Sequence, residues 1–291
     1  HRDLHSFPTR RSSDLIDSPF SLVKSYRKDE RNGRPAIVPV WLGIESYYKA
    51  YRSARPAEMS SEDAAVVWDP ARFQSERMRQ IFDEARRFAQ LNVPVLLLGE
   101  RGTGKTTLAG WIRSHSPYRV EERDAHWPAV ACGQYNPETM RAELFGYKRG
   151  SFTGALKDHE GLLAVAHKDT LFLDEVGDIG RDLQRLLIKA VEEKSYMRLG
   201  DDRQLTSDFR LISATNLTHD KLRERLDPDF LDRISMLTLR LPPLREIPEE
   251  IPWLWETVFS QASHRAGSGR VRLPAGAHRA IVDELSRHPL P

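Results

Sequence analysis

The residue types best suited to chemistry are concentrated in the stretch "GERGTGKTT", which begins at Gly99. Its spacing fits the P-loop pattern G-x-x-x-x-G-K-[ST], in which glycines let backbone N–H groups close around a phosphate. The lysine neutralises the terminal phosphates, and the hydroxyl that follows it can ligate Mg²⁺. An apolar run precedes the stretch and a helical pattern follows it, so a helix N-terminus adds its positive dipole. The sequence therefore predicts a nucleotide site rather than a glycine-rich turn without a role. The predicted nucleotide-binding residues are Gly99, Glu100, Arg101, Gly102, Thr103, Gly104, Lys105, Thr106 and Thr107.

Two adjacent carboxylates, Asp174 and Glu175, end the apolar run "TLFLDE". In an α/β pattern the carboxyl ends of neighbouring strands face the ligand site, so these side chains are expected beside the phosphates. Asp174 would hold Mg²⁺ together with Thr106, and Glu175 would polarise the attacking water. The alternative is an acidic strand end that faces solvent. A further apolar run, "LISATN", ends in Thr215 and Asn216, uncharged groups that would orient the water or contact the γ-phosphate.

A third stretch, "ELFGYKRGSFTGA" at residues 143–155, sets an apolar side chain among glycines. A buried strand would not accommodate so many glycines, and a plain surface turn has no use for the phenyl ring of Phe152. We therefore predict a mobile loop whose tip binds a partner, rather than an ordinary glycine-rich connection. The predicted partner-binding residues are Gly150, Ser151, Phe152, Thr153, Gly154 and Ala155.

The elements that must position these groups alternate along the chain. Short apolar runs of buried-strand type are "VPVLLLG", "PAVAC", "TLFLDE", "FRLISAT" and "MLTLRL", with helical patterns such as "KTTLAGWIRSHS" and "DLQRLLIKAVEEK" between them. This alternation predicts an α/β fold with a parallel central sheet covered on both faces. Asp69 is expected to cap the first helix, with Pro70 at its first position. After "LPPLRE" the strand patterns stop, and two helical patterns predict a small helical appendage.

Composition narrows the class of protein. The 291 residues are 40% hydrophobic and 30% charged, which is enough for a core and a soluble surface. Cys132 is the only cysteine, which excludes a disulfide framework and a multi-cysteine metal site and favours the cytosol. No apolar run approaches the roughly 20 residues of a membrane-spanning helix. The net charge of +2 gives no indication of a nucleic-acid-binding surface.

Four segments are expected along the chain. Residues 1–15, "HRDLHSFPTRRSSDL", resemble the one-frame translation of a sequencing-library adapter, and we exclude them from fold reasoning in preference to a native basic tail. Residues 16–68 are interpreted as the remnant of an upstream regulatory domain with its linker. Residues 69–243 are expected to form the α/β core, and residues 244–291 an incomplete helical domain.

Five stretches together resemble the AAA+ ATPase domain of sigma-54-dependent transcription activators, the bacterial enhancer-binding proteins. They are "GERGTGKT", "ELFGYKRGSFTGA", "GLLAVAHKDTLFLDEVGDI", "FRLISATN" and "RLPPLRE", in the family's order, and the resemblance runs from about residue 69 to residue 291. "GSFTGA", against the usual GAFTGA, is the most specific. The resemblance implies a three-layer P-loop sandwich with a truncated helical lid, ATP and Mg²⁺ as cofactors, and self-association into a hexameric ring in the cytoplasm.

The resemblance also implies roles for the loop and for an arginine. In the family the loop rises when ATP is bound, and its Phe and Thr engage sigma-54 to remodel the closed promoter complex. Carried over, Phe152 and Thr153 are contact residues, and Ser151 replaces the family's alanine in a change expected to spare the loop. Arg233 matches the second of two arginines that reach into the neighbouring subunit's site. DNA binding is expected only from a C-terminal domain outside this sequence.

Three other positions depart from the family's pattern. Thr106 stands where the family usually has Glu, and it is expected to serve Mg²⁺ well. Lys168 and Asp169 replace a glycine pair, a change expected only to reshape a turn. Ala131 replaces an Asn that restrains the catalytic Glu in the family, so coupling of Glu175 to the loop is expected to be altered or to use another residue.

The two positions at which the family has arginines affect which function is expected, because these arginines set the rate of ATP hydrolysis. Asp227 occupies the place of the first arginine, for which Arg223 and Arg225 one turn upstream are alternatives. An arginine finger is worth about 10³–10⁵ in rate, so this change bears directly on turnover. The first hypothesis is an ATPase that remodels the sigma-54 RNA polymerase holoenzyme to activate transcription. The alternatives are a hydrolysis-impaired ATP-binding switch or scaffold, and a generic AAA+ remodeller outside transcription.

Overall fold

The computed structural model of the chain describes residues 23–28, 35–40, 68–124, 126–265 and 276–288. The chain divides into two compact units, His1–Ser60 and Ser61–Pro291. In the first unit, β1 (Val23–Lys28) pairs antiparallel with β2 (Pro35–Val40). The segment interpreted as adapter-derived, residues 1–15, and the linker region at 41–67 lie outside the described residues.

The second unit is built on a parallel sheet. Its strands in the described part of the chain are β3 (Val95–Leu98), β4 (Ala129–Ala131), β5 (Thr170–Asp174), β6 (Ser195–Met197), β7 (Gln204–Thr206), β8 (Arg210–Thr215) and β9 (Leu237–Arg240). Five of them pair in the order β4-β5-β8-β3-β9, and every pairing is parallel. The two others, β6 and β7, form a separate antiparallel hairpin that no sequence pattern predicted.

Helices cover both faces of this sheet and make it the middle layer of three. The α-helices of the described residues are α1 (Glu76–Ala89), α2 (Lys105–Ser114), α3 (Pro137–Phe145), α4 (Leu162–Val165), α5 (Arg181–Glu193), α6 (His219–Arg225), α7 (Pro228–Ile234), α8 (Ile251–Arg265) and α9 (Ala277–Leu285), and α1, α2, α3, α5 and α7 supply the packing on the two faces. The side chains of β3 alternate between the faces, because successive residues of a strand point in opposite directions. Leu96 packs in the apolar cluster of α3, α5 and α7, whereas Val95 and Leu97 pack with α1 and α2. The predicted α/β three-layer sandwich is confirmed.

The start of the first helix differs from the prediction. Asp69 caps only a short 3-10 turn, Pro70–Arg72, by accepting a backbone N–H at 2.9 Å. The long helix α1 begins at Glu76, where the Ser75 hydroxyl accepts a backbone N–H of the first turn at 3.0 Å. Both residues are good N-caps, and Ser75 caps the long helix because it directly precedes the residues at helical spacing.

Trp68 belongs to the core of this unit. Its indole is 8% exposed and meets the rings of Phe73 and Phe82 edge-on, at 5.5 and 5.9 Å between centroids. An ideal Cβ placed on Gly104 would lie 2.2 Å from the indole, so the ring packs directly on the backbone that opens α2. The compact unit therefore includes a residue that the sequence places in the upstream segment 16–68.

Helices α8 and α9 form the predicted helical appendage. Glu250, just before α8, is fully buried, and its carboxylate accepts the backbone N–H of Ser75 at 2.6 Å and the indole N–H of Trp253. This contact ties the base of α8 to the start of α1. Further along, the Trp255 indole lies 3.0 Å from a ring nitrogen of His278 in α9. No helix among the described residues is long and apolar enough to cross a membrane.

Candidate functional site

The P-loop between β3 and α2 closes around its own lysine. Gly102 and Gly104 have φ values of 85° and 87°, in the left-handed region that favours glycine. The Lys105 ammonium donates to the carbonyl oxygen of Gly99 at 2.9 Å and to that of Glu100 at 2.7 Å. It therefore lies inside the curve of the loop, at the N-terminus of α2, which is a favourable position for a phosphate.

The structure brings the predicted lysine and carboxylates to one place. Burial lowers the pKa of Lys105, and the negative charges of Asp174 and Glu175 oppose that shift. A bound phosphate would act in the same direction as the carboxylates, because a nearby anion favours the charged ammonium. In the first turn of α2, Thr106 is exposed and Thr107 is half-buried.

The order of the strands explains this convergence. Because β8 lies between β3 and β5, the carboxyl ends of the three strands are adjacent. The Gly99 N–H donates to the Thr215 carbonyl at 3.3 Å, which joins the P-loop to the end of β8. The Thr215 hydroxyl accepts the Leu217 N–H at 3.1 Å, so it shapes the turn, and Asn216 stands half-buried between them.

The backbone of Glu175 is strained. Its φ and ψ are 53° and 44°, a left-handed conformation that costs a residue other than glycine roughly 1–3 kcal/mol. Its N–H donates to the Asp174 carboxylate at 2.9 Å. Such strain is concentrated at functional sites. Ala131 is in register with Asp174 across β4 and β5, and its methyl group offers no hydrogen bond to a carboxylate.

Two neighbours contact the Glu175 carboxylate. The Arg101 guanidinium of the P-loop lies 3.7 Å from Oε1. On the other side, an ideal Cβ on Gly133 would lie 2.8 Å from Oε2 of Glu175 and 2.9 Å from Oδ2 of Asp178. Both carboxylates therefore rest against the Gly133 backbone, and a side chain at that position would have to displace them.

The oxygen donors at this site suit Mg²⁺. The Thr106 hydroxyl and the Asp174 carboxylate are hard ligands, and Mg²⁺ takes few protein groups because substrate phosphates and waters complete its octahedron. Among the described residues, no group of three or more His, Cys, Asp or Glu side chains could hold a metal ion. The donor set thus fits a cation that arrives with a nucleotide.

Arg233, the predicted arginine finger, lies away from this site. Its guanidinium pairs with Glu192 at 2.5 Å, beside a cavity of about 210 Å³. Pro94 and Phe209, which immediately precede β3 and β8, also line the cavity, so it lies at the amino ends of the strands. The P-loop follows the carboxyl end of β3. Arg233 is therefore not placed to serve the P-loop of its own chain.

Asp227, which stands at the first arginine position, has a structural role. Its carboxylate caps α7 by accepting a backbone N–H at 3.1 Å, and its own N–H donates to Gln184 at 2.7 Å. Of the two alternative arginines, Arg225 pairs at 2.9 Å with Asp178, in the turn that follows Asp174 and Glu175. Arg223 is exposed.

The glycine-rich loop presents its tip to solvent. Phe152 is 46% exposed, and its ring meets that of Tyr147 edge-on at 4.9 Å. Thr153 and the glycines on either side of the tip are exposed. Ala155 is only 5% exposed, so this member of the predicted partner-binding set does not reach the surface. The next residue, Leu156, is 87% exposed, and the sequence did not single it out.

Asp169 has a larger role than the sequence suggested. It is fully buried, and its carboxylate accepts two hydrogen bonds from the Arg113 guanidinium of α2, at 2.7 and 2.9 Å. Lys168 does reshape the turn, with a φ of 61°. The expectation that the pair only reshapes a turn is wrong, because Asp169 anchors the start of β5 to the P-loop helix.

A parallel sheet in this strand order, with a P-loop after β3 and paired acidic residues after β5, defines an AAA+ P-loop protein. Residues 71–240 match the family described as Sigma-54 interaction domain. The chain belongs to that family, so the resemblance carried by the motifs is confirmed.

Sequence relatives agree with this assignment. The chain is 35% identical over 210 residues to the response regulator protein PilR of Pseudomonas aeruginosa. The aligned region covers 72% of this chain and 46% of PilR. It is 38% identical over 183 residues to the Nif-specific regulatory protein of Azospirillum lipoferum, over 61% of this chain and 28% of that protein. The chain thus spans less than half the length of these relatives.

A solved structure shows the same fold. The crystal structure of NtrX from Brucella abortus matches with a TM-score of 0.62 at 26% identity, over 74% of this chain and 51% of NtrX. NtrX in complex with ADP matches with a TM-score of 0.61 at 25% identity, over 72% of this chain and 46% of NtrX.

Sequence reasoning missed the groups that surround the Glu175 carboxylate. Arg101 was predicted only as part of the P-loop, and Gly133 and Asp178 were not singled out. Asp178 carried a weak signal, since "DEVGDI" places it three residues after Glu175. Gly133 carried none, because its contact joins the ends of two different strands.

Proposed function

We propose that this chain hydrolyses ATP and uses the hydrolysis to remodel the sigma-54 RNA polymerase holoenzyme, which activates transcription initiation. The observation that carries the proposal is the convergence of Lys105, Asp174 and Glu175 in a chain that also exposes Phe152 on a glycine-rich loop. Family membership supports sigma-54 as the partner, and the NtrX complex with ADP supports a nucleotide. A cytoplasmic ring of subunits is part of the proposal.

The chemistry follows from the side chains at the site. The P-loop N–H groups and the Lys105 ammonium bind the β- and γ-phosphates. Thr106 and Asp174 would hold Mg²⁺, which neutralises charge on the phosphates when it is bound. The Glu175 carboxylate accepts a proton of the attacking water and aligns it with the γ-phosphorus. The Asn216 amide, at the end of β8, orients the same water.

The position of Arg233 makes hydrolysis depend on self-association. Because it lies at the amino ends of the strands, its guanidinium can stabilise transferred phosphate only in the site of a neighbouring subunit. It is paired with Glu192 within its own chain, so assembly must shift or exchange that ion pair. Turnover per subunit should therefore rise with protein concentration.

A second candidate function is a nucleotide-dependent switch or scaffold with little hydrolysis. Two observations favour it: Asp227 is committed to capping α7, and Ala131 offers no hydrogen bond beside Asp174. ATP turnover measured against protein concentration separates the two functions. Robust turnover that increases with concentration rules out the scaffold, and turnover no faster than that of Lys105→Ala favours it.

The partner is tested by capture of purified sigma-54 in the presence of an ATP transition-state analogue. Capture should require the analogue and should be lost in Lys105→Ala, which cannot bind the phosphates. Thr153→Ala should lose capture while ATP hydrolysis continues, because Thr153 lies on the exposed tip. If Thr153→Ala captures sigma-54 as well as the unaltered chain does, or if neither binds it, a generic remodeller outside transcription is the better interpretation.

A further inference from the structure

The Ser151 hydroxyl joins the glycine-rich loop to the hairpin of β6 and β7. Its Oγ lies 2.8 Å from the carbonyl oxygen of Leu199, in the hairpin turn, and 2.5 Å from the carbonyl oxygen of Lys148, within the loop. A hydroxyl has one proton, so it donates to one carbonyl at a time or shares the proton between them. Either way, the hydroxyl is enclosed by acceptors from both segments.

The backbone on either side of this contact is already paired. Leu199 O also accepts the Lys148 N–H at 3.0 Å, and the Leu199 N–H donates to Gly146 O at 3.0 Å. Tyr147 pairs with Leu199 on one side and with His159 on the other. At Tyr147 the base of the loop therefore makes a single backbone bridge to each of two segments, which together form a short ladder of hydrogen bonds. Ser151 extends that ladder toward the tip with a side-chain hydrogen bond.

The hairpin turn is shaped to receive this hydroxyl. Gly200 has a φ of 68°, and an ideal Cβ placed on it would lie 2.3 Å from the Ser151 Oγ and 2.9 Å from its Cβ. The turn thus allows the serine to approach only because residue 200 has no side chain. The contact thus requires a hydroxyl at residue 151 and a glycine at residue 200.

The hairpin is connected at both ends to the nucleotide site. Its first strand, β6, follows α5, and α5 follows the short turn that begins directly after Glu175. Its second strand, β7, leads into β8, which ends at Thr215 beside Asn216. The chain therefore joins the hairpin turn to the surroundings of Glu175 and of Asn216 through two separate segments.

We propose that Ser151 is a positioning residue that holds the tip, Phe152 and Thr153, against the hairpin until the hairpin moves. The expectation that serine at this position simply spares the loop is therefore incomplete, because the hydroxyl adds a bond that an alanine cannot make. A neutral hydrogen bond of this kind shifts an opening equilibrium by roughly three- to tenfold. The inference deepens the proposed function and rests on it for the identity of the partner.

Hydrogen exchange of the loop amides tests the contact without any partner. The Gly150 N–H is bonded to Ala155 O at 2.8 Å, and the Ala155 N–H to Phe152 O at 3.0 Å, so both report opening of the tip. In Ser151→Ala these amides should exchange roughly three- to tenfold faster, after correction for intrinsic rates. Ser151→Thr keeps the hydroxyl and should restore the slower exchange. Unchanged rates in Ser151→Ala, or equally fast rates in Ser151→Thr, overturn the proposal.

A second variant approaches the contact from the hairpin. Gly200→Ala leaves the loop sequence intact but places a methyl group where the Ser151 hydroxyl lies, and it should accelerate the same amides. Gly276→Ala is the matched control, because Gly276 also has a positive φ, 83°, but nothing within 4 Å of its ideal Cβ. If Gly200→Ala leaves loop exchange as slow as Gly276→Ala does, the hairpin does not hold the tip.

Capture of sigma-54 then tests whether the contact governs release. The concentration of ATP analogue that gives half-maximal capture should be lower in Ser151→Ala than in the unaltered chain and in Ser151→Thr, by the same three- to tenfold factor. An unchanged midpoint alongside accelerated exchange overturns the role in release. If no form captures sigma-54, the proposed partner fails, whereas the exchange data still decide whether Ser151 holds the loop.

Discussion

Glu175 is positioned by its own backbone, by an arginine and by a glycine. Its left-handed backbone directs the side chain, Arg101 lies at one oxygen, and Gly133 lies against the other. The carboxylate ends of Glu175 and Asp178 are flexible, so a small group added at Gly133 would displace them without breaking the sheet. The position of the carboxylate that we propose to activate water therefore depends on Gly133, a residue that takes no part in the proposed chemistry.

Gly133→Ala should lower kcat while leaving KM for ATP nearly unchanged, because the phosphate-binding loop is untouched. A misplacement of about 1 Å at a catalytic group can cost on the order of 100-fold, and we expect a loss of roughly 10- to 100-fold. Steady-state ATP hydrolysis measures both constants.

Gly110→Ala, on the P-loop helix α2, is the control. Nothing lies within 4 Å of the ideal Cβ of Gly110, and alanine stabilises a helix interior by about 0.5–1 kcal/mol relative to glycine. It should preserve kcat. Equal kcat values for the two variants would show that Gly133 does not set the position of Glu175.

Asp169→Ala should destabilise the fold, because it leaves the buried Arg113 guanidinium short of a partner. Removing one member of a buried ion pair costs roughly 3–5 kcal/mol. Asp124 also pairs with Arg113 at 2.8 Å, so we expect a loss near the lower end, about 3 kcal/mol, in the free energy of unfolding by urea.

The control for Asp169→Ala is a substitution of Asp83, an exposed aspartate on helix α1. Asp83→Ala should change the free energy of unfolding by no more than about 0.5 kcal/mol, as is usual for surface substitutions. A loss of similar size in both variants would mean that the Arg113 pair adds nothing to stability.

At the scale of elements, the strands of the main sheet were predictable and the hairpin was not. Runs such as "VLLL" and the "LFL" of β5 are wholly apolar, which is the pattern of parallel strands buried on both faces. Strands β6 and β7 have three residues each and are joined by a charged turn, so neither periodicity nor turn residues revealed them. The turn that joins them is hydrogen-bonded to the glycine-rich loop, a contact between segments that local sequence does not encode.

The P-loop and the acidic strand end were predictable because their chemistry is local in sequence. The surroundings of Glu175 were not, since Arg101, Gly133 and Asp178 come from three separate segments. The cap of α1 shows the same limit on a smaller scale. Asp69 and Ser75 are both competent caps, and the short 3-10 turn that separates the segment capped by Asp69 from the long helix capped by Ser75 was not evident in the sequence.

The base of the loop requires glycine at Gly146 for two reasons. Its φ is 75°, and an ideal Cβ would lie 2.5 Å from His159 O and 2.6 Å from Gly161 N. Gly150 shares only the first reason, with a φ of 84° and nothing within 4 Å of its ideal Cβ. An alanine at Gly150 would therefore suffer backbone strain alone, whereas an alanine at Gly146 would suffer the same strain and a steric clash.

Gly150→Ala should cost about 1–2 kcal/mol, the penalty for an L-residue in a left-handed conformation. Gly146→Ala should cost clearly more, because the added methyl also pushes against two backbone atoms that have no freedom to move. Urea unfolding of both variants measures the difference. Matching losses would mean that the ladder at the loop base can open to admit a methyl group.

At the scale of the whole molecule, the two ends of the sheet carry the two halves of the proposed hydrolytic site. The P-loop and Glu175 lie at the carboxyl ends of the strands, and Arg233 lies at the amino ends. In the proposed mechanism, a single chain has an incomplete site at one end of the sheet and, at the other end, the arginine that completes a neighbour's site. Such a head-to-tail arrangement closes into a ring when the rotation between subunits permits.

Mixing two inactive variants tests this arrangement. Glu175→Gln should lose turnover, and Arg233→Ala should lose about 10³–10⁵ in rate. In a mixture, an Arg233→Ala subunit keeps Glu175 and can receive Arg233 from a Glu175→Gln neighbour, so ATP hydrolysis should recover in part. Steady-state phosphate release measures the recovery.

The control mixture pairs Glu175→Gln with Lys105→Ala. Every site in that mixture lacks either the lysine or the glutamate, so no activity should return. If the first mixture is as inactive as the control, Arg233 does not act across subunits.

The packing of Trp68 on Gly104 has a practical consequence. An indole that touches the glycine immediately before Lys105 is an intrinsic chromophore at the rim of the phosphate cradle. Its ultraviolet emission responds to the dielectric and to the geometry of that rim. Binding of a ligand at the P-loop should therefore change the fluorescence of Trp68, one of six tryptophans in the chain, and the part of the signal that is lost in Trp68→Phe would report that binding without a label.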